Sequence, residues 1–230
     1  MMIHVSYADD DPYQTYNRHA FAMNQQVDKA ILRPVATVYK DILPNYARRR
    51  LSVFFANLGT LPIAANDFLE AKFYEGSCNL WRFFFNSTLG IAGLYDVATS
   101  MGLPETTADF GMTLAQWGYN DSHYLVIPLL GPSTVRDAMG LGVSQMTLSV
   151  YPYIDDVSVR NSLEVTNLIQ SRAQLLDFQA LSDQASVDPY IFERNAYLQR
   201  RNYLLMQNIA HYQSSSTNSM SQSQDPFIDE

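Results

Sequence analysis

The sequence predicts an all-α chain, and three observations carry that expectation. Apolar residues recur at steps of three and four along most of the 230 residues, the spacing that puts them on one face of a helix. No stretch alternates apolar and polar residues with the clean period of two that a half-buried strand needs. Asp11-Pro12 and Asp188-Pro189 each read as a helix cap followed by proline in the first turn, where a missing amide costs nothing.

The first helix starts at Asp11-Pro12 and carries Tyr16, Ala20, Met23, Val27 and Ile31 to an end near Arg33-Pro34. A shorter piece, Val35 to Leu43, closes at Pro44. Arg48-Arg49-Arg50 then leads into Leu51, Phe54, Phe55 and Leu58 at helical spacing, which gives one very apolar face. Asn66 to Lys72 reads as a short helix and Asn79 to Tyr95 as a longer one. Phe83, Phe84 and Phe85 sweep about 200° of that helix, which implies cover on more than one side. Gly90 and Gly93 allow close backbone approach, and Gly102-Leu103-Pro104 marks a loop. Phe110 to Tyr119 reads as either a short helix or a glycine-bounded turn.

Tyr124 to Gly140 is the most unusual stretch, because a bare apolar run meets a Gly-Pro turn and then Arg136-Asp137. Pro128 and Pro132 push Ile127 and Gly131 away from helical geometry while the apolar side chains still need cover. Ser133 is expected to cap a helix from Thr134 to Tyr151, stopped by Pro152. Gly140 and Gly142 suit close helix packing. Arg136 and Asp137, about 100° apart on that helix, are expected to serve different partners. Val157 to Gln184 and Tyr190 to about Tyr212 are the long helices. Residues 1–10 form a separate start, 11–212 one helical domain, and the Ser/Gln-rich 213–230 a flexible tail.

At 47% apolar and 13% aromatic the chain has ample material for a core. A formal charge of -8 and the lack of a long basic run argue against nucleic acid as a partner. Cys78 is the single cysteine and the four histidines are scattered, so neither a disulfide nor a metal site is expected. No apolar run reaches the roughly 18 residues of a spanning helix. Ser6-Tyr7-Ala8 has the small-x-small form of an export cleavage site without a charged and apolar leader before it.

Catalytic patterns are wanting. Gly131-Pro132-Ser133-Thr134-Val135 lacks the closing glycine of a nucleophile elbow, and Gly140-Leu141-Gly142 is too short for a dinucleotide fingerprint. His4 to Asp9 has an acyltransferase-like spacing at a terminus with nothing to position it. No cofactor is expected, and a lipid-modifying enzyme is the weakest of the readings. Phe54, Phe55, Leu58, Phe83, Phe84 and Phe85 are expected to form a wall facing core or lipid.

Several blocks in order carry a family resemblance: Tyr16-Asn17-Arg18, Leu32-Arg33-Pro34-Val35-Ala36, Leu51 to Leu58, Arg82 to Gly90, Leu94 to Ala98, Arg172 to Asp177, and Asp188-Pro189-Tyr190 leading to Arg201. The chain resembles the VacJ/MlaA family, outer-membrane phospholipid-transport lipoproteins of Gram-negative bacteria. The resemblance implies a doughnut of amphipathic helices in the inner leaflet of the outer membrane around an amphipathic channel. It implies a non-enzymatic function, with phospholipid as transported ligand, a trimeric outer-membrane porin as membrane partner and a soluble periplasmic lipid carrier as recipient. Tyr124, Pro128, Gly131, Pro132, Ser133, Arg136, Asp137 and Gly140 would then border the channel as a loop and polar path. Members of the family carry lipid on a cysteine just after the export signal, whereas Cys78 lies deep inside this chain. Either the lipidated start precedes Met1 or this member is released after Ala8; the second case leaves a soluble periplasmic lipid-binding or interaction protein as the alternative.

Overall fold

In a computed structural model, which describes residues 11–185 and 188–222, helices dominate. Helix α1 (Gln14–Val27) begins after a turn through Asp11, Pro12 and Tyr13, so Pro12 precedes the helix instead of opening it. It does not stop at Pro34. A wide π turn at Asp28–Leu32 passes directly into α2 (Arg33–Ile42), with Pro34 in the first turn of α2. Proline inside a regular helix lacks a donor and clashes with the carbonyl four residues back. Widening the preceding turn lets the chain continue instead of breaking. The break comes as expected before Pro44, where Leu43 is extended.

Helix α3 (Asn45–Leu69) joins two of the expected helices and runs through Pro62. Its 25 residues make about 37 Å at 1.5 Å each, so shortness is not what keeps it from spanning a bilayer. Polar composition does: no helix among the described residues is long and apolar enough to cross a membrane. Helix α4 (Phe73–Thr88) packs antiparallel against α3 after a tight turn at 70–72. Ile91, Ala92 and Gly93 then take left-handed backbone conformations in succession. Asn86 holds the returning segment, accepting from the amides of Val97 and Ala98 at 2.8 and 2.9 Å.

Of the two readings open for Phe110 to Tyr119, the structure takes the short helix, α5 (Phe110–Gln116), capped by Asp109. The stretch from Tyr124 corrects the strand-free expectation. Strands β1 (Tyr124–Ile127) and β2 (Gly131–Thr134) pair antiparallel, with Tyr124 opposite Thr134 and Ile127 opposite Gly131. Leu129 and Gly131 turn the chain at positive φ. Four residues per strand are too few to display a period of two, which is why the pattern did not announce them. Pro132 sits in β2, a position open to it because the two-stranded sheet leaves each strand an unpaired edge.

Helix α6 (Val135–Val143) is capped by Thr134, whose hydroxyl accepts from the amide of Asp137 at 3.2 Å. Ser133 is therefore not the cap; its hydroxyl donates to the Thr134 carbonyl at 3.1 Å. The reason is that α6 begins at Val135, so Thr134, the last residue of β2, directly precedes the helix and its hydroxyl reaches the amide three residues on. A π turn at Ser144–Leu148 ends the helical stretch before Pro152, which lies in a separate short turn, Tyr151–Tyr153. Helices α7 (Val157–Ala185) and α8 (Pro189–Gln222) follow. Helix α8 continues beyond the expected end at Tyr212, since no glycine or proline interrupts the chain before Pro226. The expected start at 1–10 and the tail beyond Gln222 lie outside the described residues.

One apolar core is small and local. Ala20 of α1, Tyr124 and Val126 of β1, and Tyr190 and Leu198 of α8 form it, with Phe21, Ile191 and Tyr197 around them. The outer edge of β1 is closed by side chains of α1. Asn17 accepts from the Val126 amide at 2.8 Å and donates to the Tyr124 carbonyl at 3.2 Å. Asn24, two turns on, repeats this with Leu129 and Ile127 at 2.6 and 3.0 Å.

Candidate functional site

The α3/α4 pair carries its polarity inside out. On α4 the residues Glu75, Asn79, Arg82 and Asn86 are buried along one stripe, while Phe73, Tyr74, Leu80, Trp81 and Phe84 are exposed. Their spacing of four, three and four is helical, but the inward face is the polar one. Helix α3 shares the polar interior, burying Asn57, Thr60, Asn66 and Asp67 along with Phe55 and Ala64, while its Leu51, Phe54 and Leu58 are half-buried. Phe84 is 51% and Trp81 53% exposed; a soluble domain would normally turn such residues inward.

Buried polar groups need partners, and here they find one another. Asn79 donates to Asp67 at 2.7 Å and to Thr106 at 2.6 Å. Thr113 of α5 shares its one hydroxyl proton between Asn66 at 2.9 Å and Glu70 at 3.1 Å, and Asn208 of α8 donates to Glu70 at 2.9 Å. Lys72 pairs with Glu70 at 2.8 Å. Arg82 donates to Asp96 at 3.0 Å and to the Leu103 carbonyl at 2.7 Å. Burial pushes the Asp67 carboxyl up to about 6, against the opposing pull of Asn79 and Lys72. Asp109 goes the other way: burial would raise it, but the Arg201 guanidinium holds it below the usual carboxylate range.

Three cavities follow α3 in sequence. The first, about 300 Å³, lies between α3 and α7 and is lined by Arg48, Arg49, Ser52 and Gln170. Ser52 also lines the second, about 200 Å³, with Asn57, Asn79, Arg82 and Asn86. Glu105 and Thr106 are common to the second and to a third of about 200 Å³, which adds Asp67, Lys72, Glu75 and Asn208. A fourth hollow of about 340 Å³, more apolar, lies under the hairpin turn against Phe21, Leu32, Leu175 and Phe192.

The residues expected at the site are dispersed by the structure. Phe55 is buried, Phe54, Leu58, Phe83 and Phe85 are half-buried, and Phe84 faces out. Phe84, Phe85 and Trp81 form one aromatic patch with ring centroids 5.6 to 5.8 Å apart. Pro128 is exposed at the hairpin turn, and Gly131 and Pro132 line the fourth hollow. Tyr124 is a core residue, 2% exposed, and Ser133 is buried. Arg136 and Asp137 have the separate partners expected of them and, beyond the expectation, also contact each other at 3.1 Å. Long side chains bridge the angle between adjacent positions. Each also has its own contacts: Arg136 with the carbonyls of Tyr119 and Asn120, Asp137 with Arg201 at 2.7 Å and Tyr197 at 2.8 Å. Gly140 packs closely as expected, since a Cβ there would lie 2.5 Å from the amide nitrogen of Gly111.

Sequence reasoning missed Asn57, Asp67, Asn79, Arg82, Asn86 and Glu105. For the residues on α3 and α4 the signal was the same helical period read for polar instead of apolar residues; Glu105, in an irregular connection, had none.

The family model for MlaA lipoprotein matches residues 9–204. A Shigella flexneri protein named intermembrane phospholipid transport system lipoprotein MlaA is 37% identical over 201 residues, which cover 84% of this chain and 78% of that protein. A Rickettsia felis protein is 36% identical over 186 residues, covering 81% and 74% of the two chains. A solved structure described as "Structural basis for maintenance of bacterial outer membrane lipid asymmetry" superimposes with a TM-score of 0.72 at 35% identity, covering 85% of this chain and 99% of that one. The chain belongs to the MlaA lipoprotein family.

Proposed function

We propose that this chain moves phospholipid between membranes. It would sit in the inner leaflet of the outer membrane at the periplasmic face, with its helices around a polar passage. The single observation that carries this reading is the polar interior shared by α3 and α4, hydrogen-bonded and cavity-lined, while Trp81, Phe84 and Phe73 of α4 face outward. Apolar side chains turned out and polar groups turned in suit a molecule surrounded by acyl chains that carries headgroups through its middle. The names of the relatives support the same reading. A porin trimer would hold it in the membrane, a soluble periplasmic carrier would receive the lipid, and passage would need no bond-breaking chemistry.

Flotation with phospholipid vesicles tests this directly. The wild-type chain is expected to float and to retain phospholipid after purification. The Trp81→Ser, Phe84→Ser double variant is expected to lose about 2 to 4 kcal/mol of vesicle affinity, since each half-exposed ring gives up part of the roughly 1.5 to 3 kcal/mol of full burial. Its melting in detergent-free buffer should be little changed. A wild-type chain that neither floats nor carries phospholipid would sink the proposal.

A further inference from the structure

The three cavities along α3 change the sign of their charge from one end to the other. At the first, Arg48 and Arg49 supply two cations; Arg49 is exposed, while Arg48 is tied to the Leu43 carbonyl and Asn45. Past Ser52, each lysine or arginine lining the next two cavities already faces a carboxylate. Arg82 meets Asp96 at 3.0 Å and Lys72 meets Glu70 at 2.8 Å. Carboxylates are in excess there, because Glu105 lines both cavities, is exposed and has no ion-pair partner among the described residues, and Asp67 lines the third. Asn57 adds a separate indication. It is 3% exposed and lines the second cavity, its amide donates to Ser87 at 3.0 Å, and its Oδ1 accepts no hydrogen bond among the described residues. A buried acceptor left open calls for a donor.

We infer that these cavities form a headgroup path that selects a phosphate ester bearing a primary ammonium. Arg48 and Arg49 meet the phosphate as the head enters, and Asn57 and Glu105 meet the ammonium beyond Ser52. The inference rests on the reading of the chain as a phospholipid transporter and names which headgroup it favours. An anionic glycerol head brings a negative charge toward Glu105, where the lining cations among the described residues, Arg82 and Lys72, already face carboxylates. A choline head brings the positive charge but no N–H for Asn57.

The test uses the full chain and vesicles with equimolar ethanolamine, choline and glycerol phospholipids of identical acyl chains. The protein is re-isolated and its bound lipid is identified by mass spectrometry. Ethanolamine lipid is expected to exceed glycerol lipid by about five-fold, the scale of one exposed charge contact. Glu105→Gln should bring that ratio down by about two- to five-fold, and Glu105→Arg should carry it further toward the glycerol lipid. Glu105 lies exposed in an irregular connection, and circular dichroism checks that both variants keep the fold. Parity or an excess of glycerol lipid in the wild type overturns the inference. So does choline lipid retained as well as ethanolamine lipid, or a ratio indifferent to Glu105. Absence of all three lipids would overturn the transport reading together with it.

Discussion

Single side chains here do the work usually left to a strand or to water. Asn17 and Asn24 satisfy the open edge of β1 from a helix, which blunts an edge that would otherwise invite another chain. Asn17 stands inside Tyr16-Asn17-Arg18, one of the blocks that carried the resemblance, so its presence was legible. Its duty was not, because a 107-residue separation between donor and acceptor leaves no trace in local spacing. Asp67 is the clearest case for measurement. Its folded carboxyl holds a proton up to about 6, whereas the ordinary value is 3.8. Between those values the folded chain binds more protons than the unfolded one, so its contribution to stability is present at low pH and is lost as pH rises through about 6. Asp67→Asn should therefore gain stability relative to wild type as pH goes from about 4 to 6, read from paired thermal melts. A difference that stays flat with pH would show that Asp67 titrates normally in the fold.

Among the elements, existence was more legible than boundary. Prolines located α2 and α8 closely and apolar spacing located α7, yet α5 was left open between helix and turn, and Pro34 and Pro62 were read as breaks or passed over. The π turn at Asp28–Leu32 explains the first, because a looser turn makes room for a ring that a regular helix rejects. The β1/β2 hairpin was invisible for a different reason: its shape is set by Leu129 and Gly131 at positive φ and by the α1 amides, not by alternation. Close packing at Gly140 was legible, and it is testable. A methyl at Gly140 would meet the Gly111 backbone at 2.5 Å, and backbone cannot swing aside. Gly140→Ala is expected to destabilise by about 2 to 3 kcal/mol. Gly142→Ala, with nothing within 4 Å, should be neutral or gain about 0.5 to 1 kcal/mol from helix propensity. Equal melting shifts in the two variants would contradict the α5/α6 contact.

For the molecule as a whole, the family was readable from ordered blocks, and the helical class from periodicity. What could not be read was which face of each helix turned inward. The apolar faces of α3 and α4 are the obvious candidates for a core, and spacing alone gives no preference between protein and lipid as cover. The answer depends on contacts such as Asn66 with Thr113 and Glu70 with Asn208, which join α3 to α5 and α8 across long stretches of chain. These contacts fix the inward face only when all three helices are in place.

That inverted interior has a calorimetric consequence. Heat capacity rises on unfolding because apolar surface becomes wet, and falls as polar surface does. In this chain much apolar surface, from Trp81 and Phe84 to Phe73 and Ile91, is already outside, while Asn66, Asp67, Asn79 and Arg82 are the groups released. Scanning calorimetry in detergent-free buffer should give a heat-capacity increment well below the usual 12 to 15 cal/mol/K per residue, roughly half to two-thirds of it. Addition of micelles should raise it, because the outer surface would then be shielded in the folded state and bared with the rest. The quantity that marks an ordinary hydrophobic core would thus belong to the protein and its surrounding lipid jointly, and would be recovered only when both are in the cell.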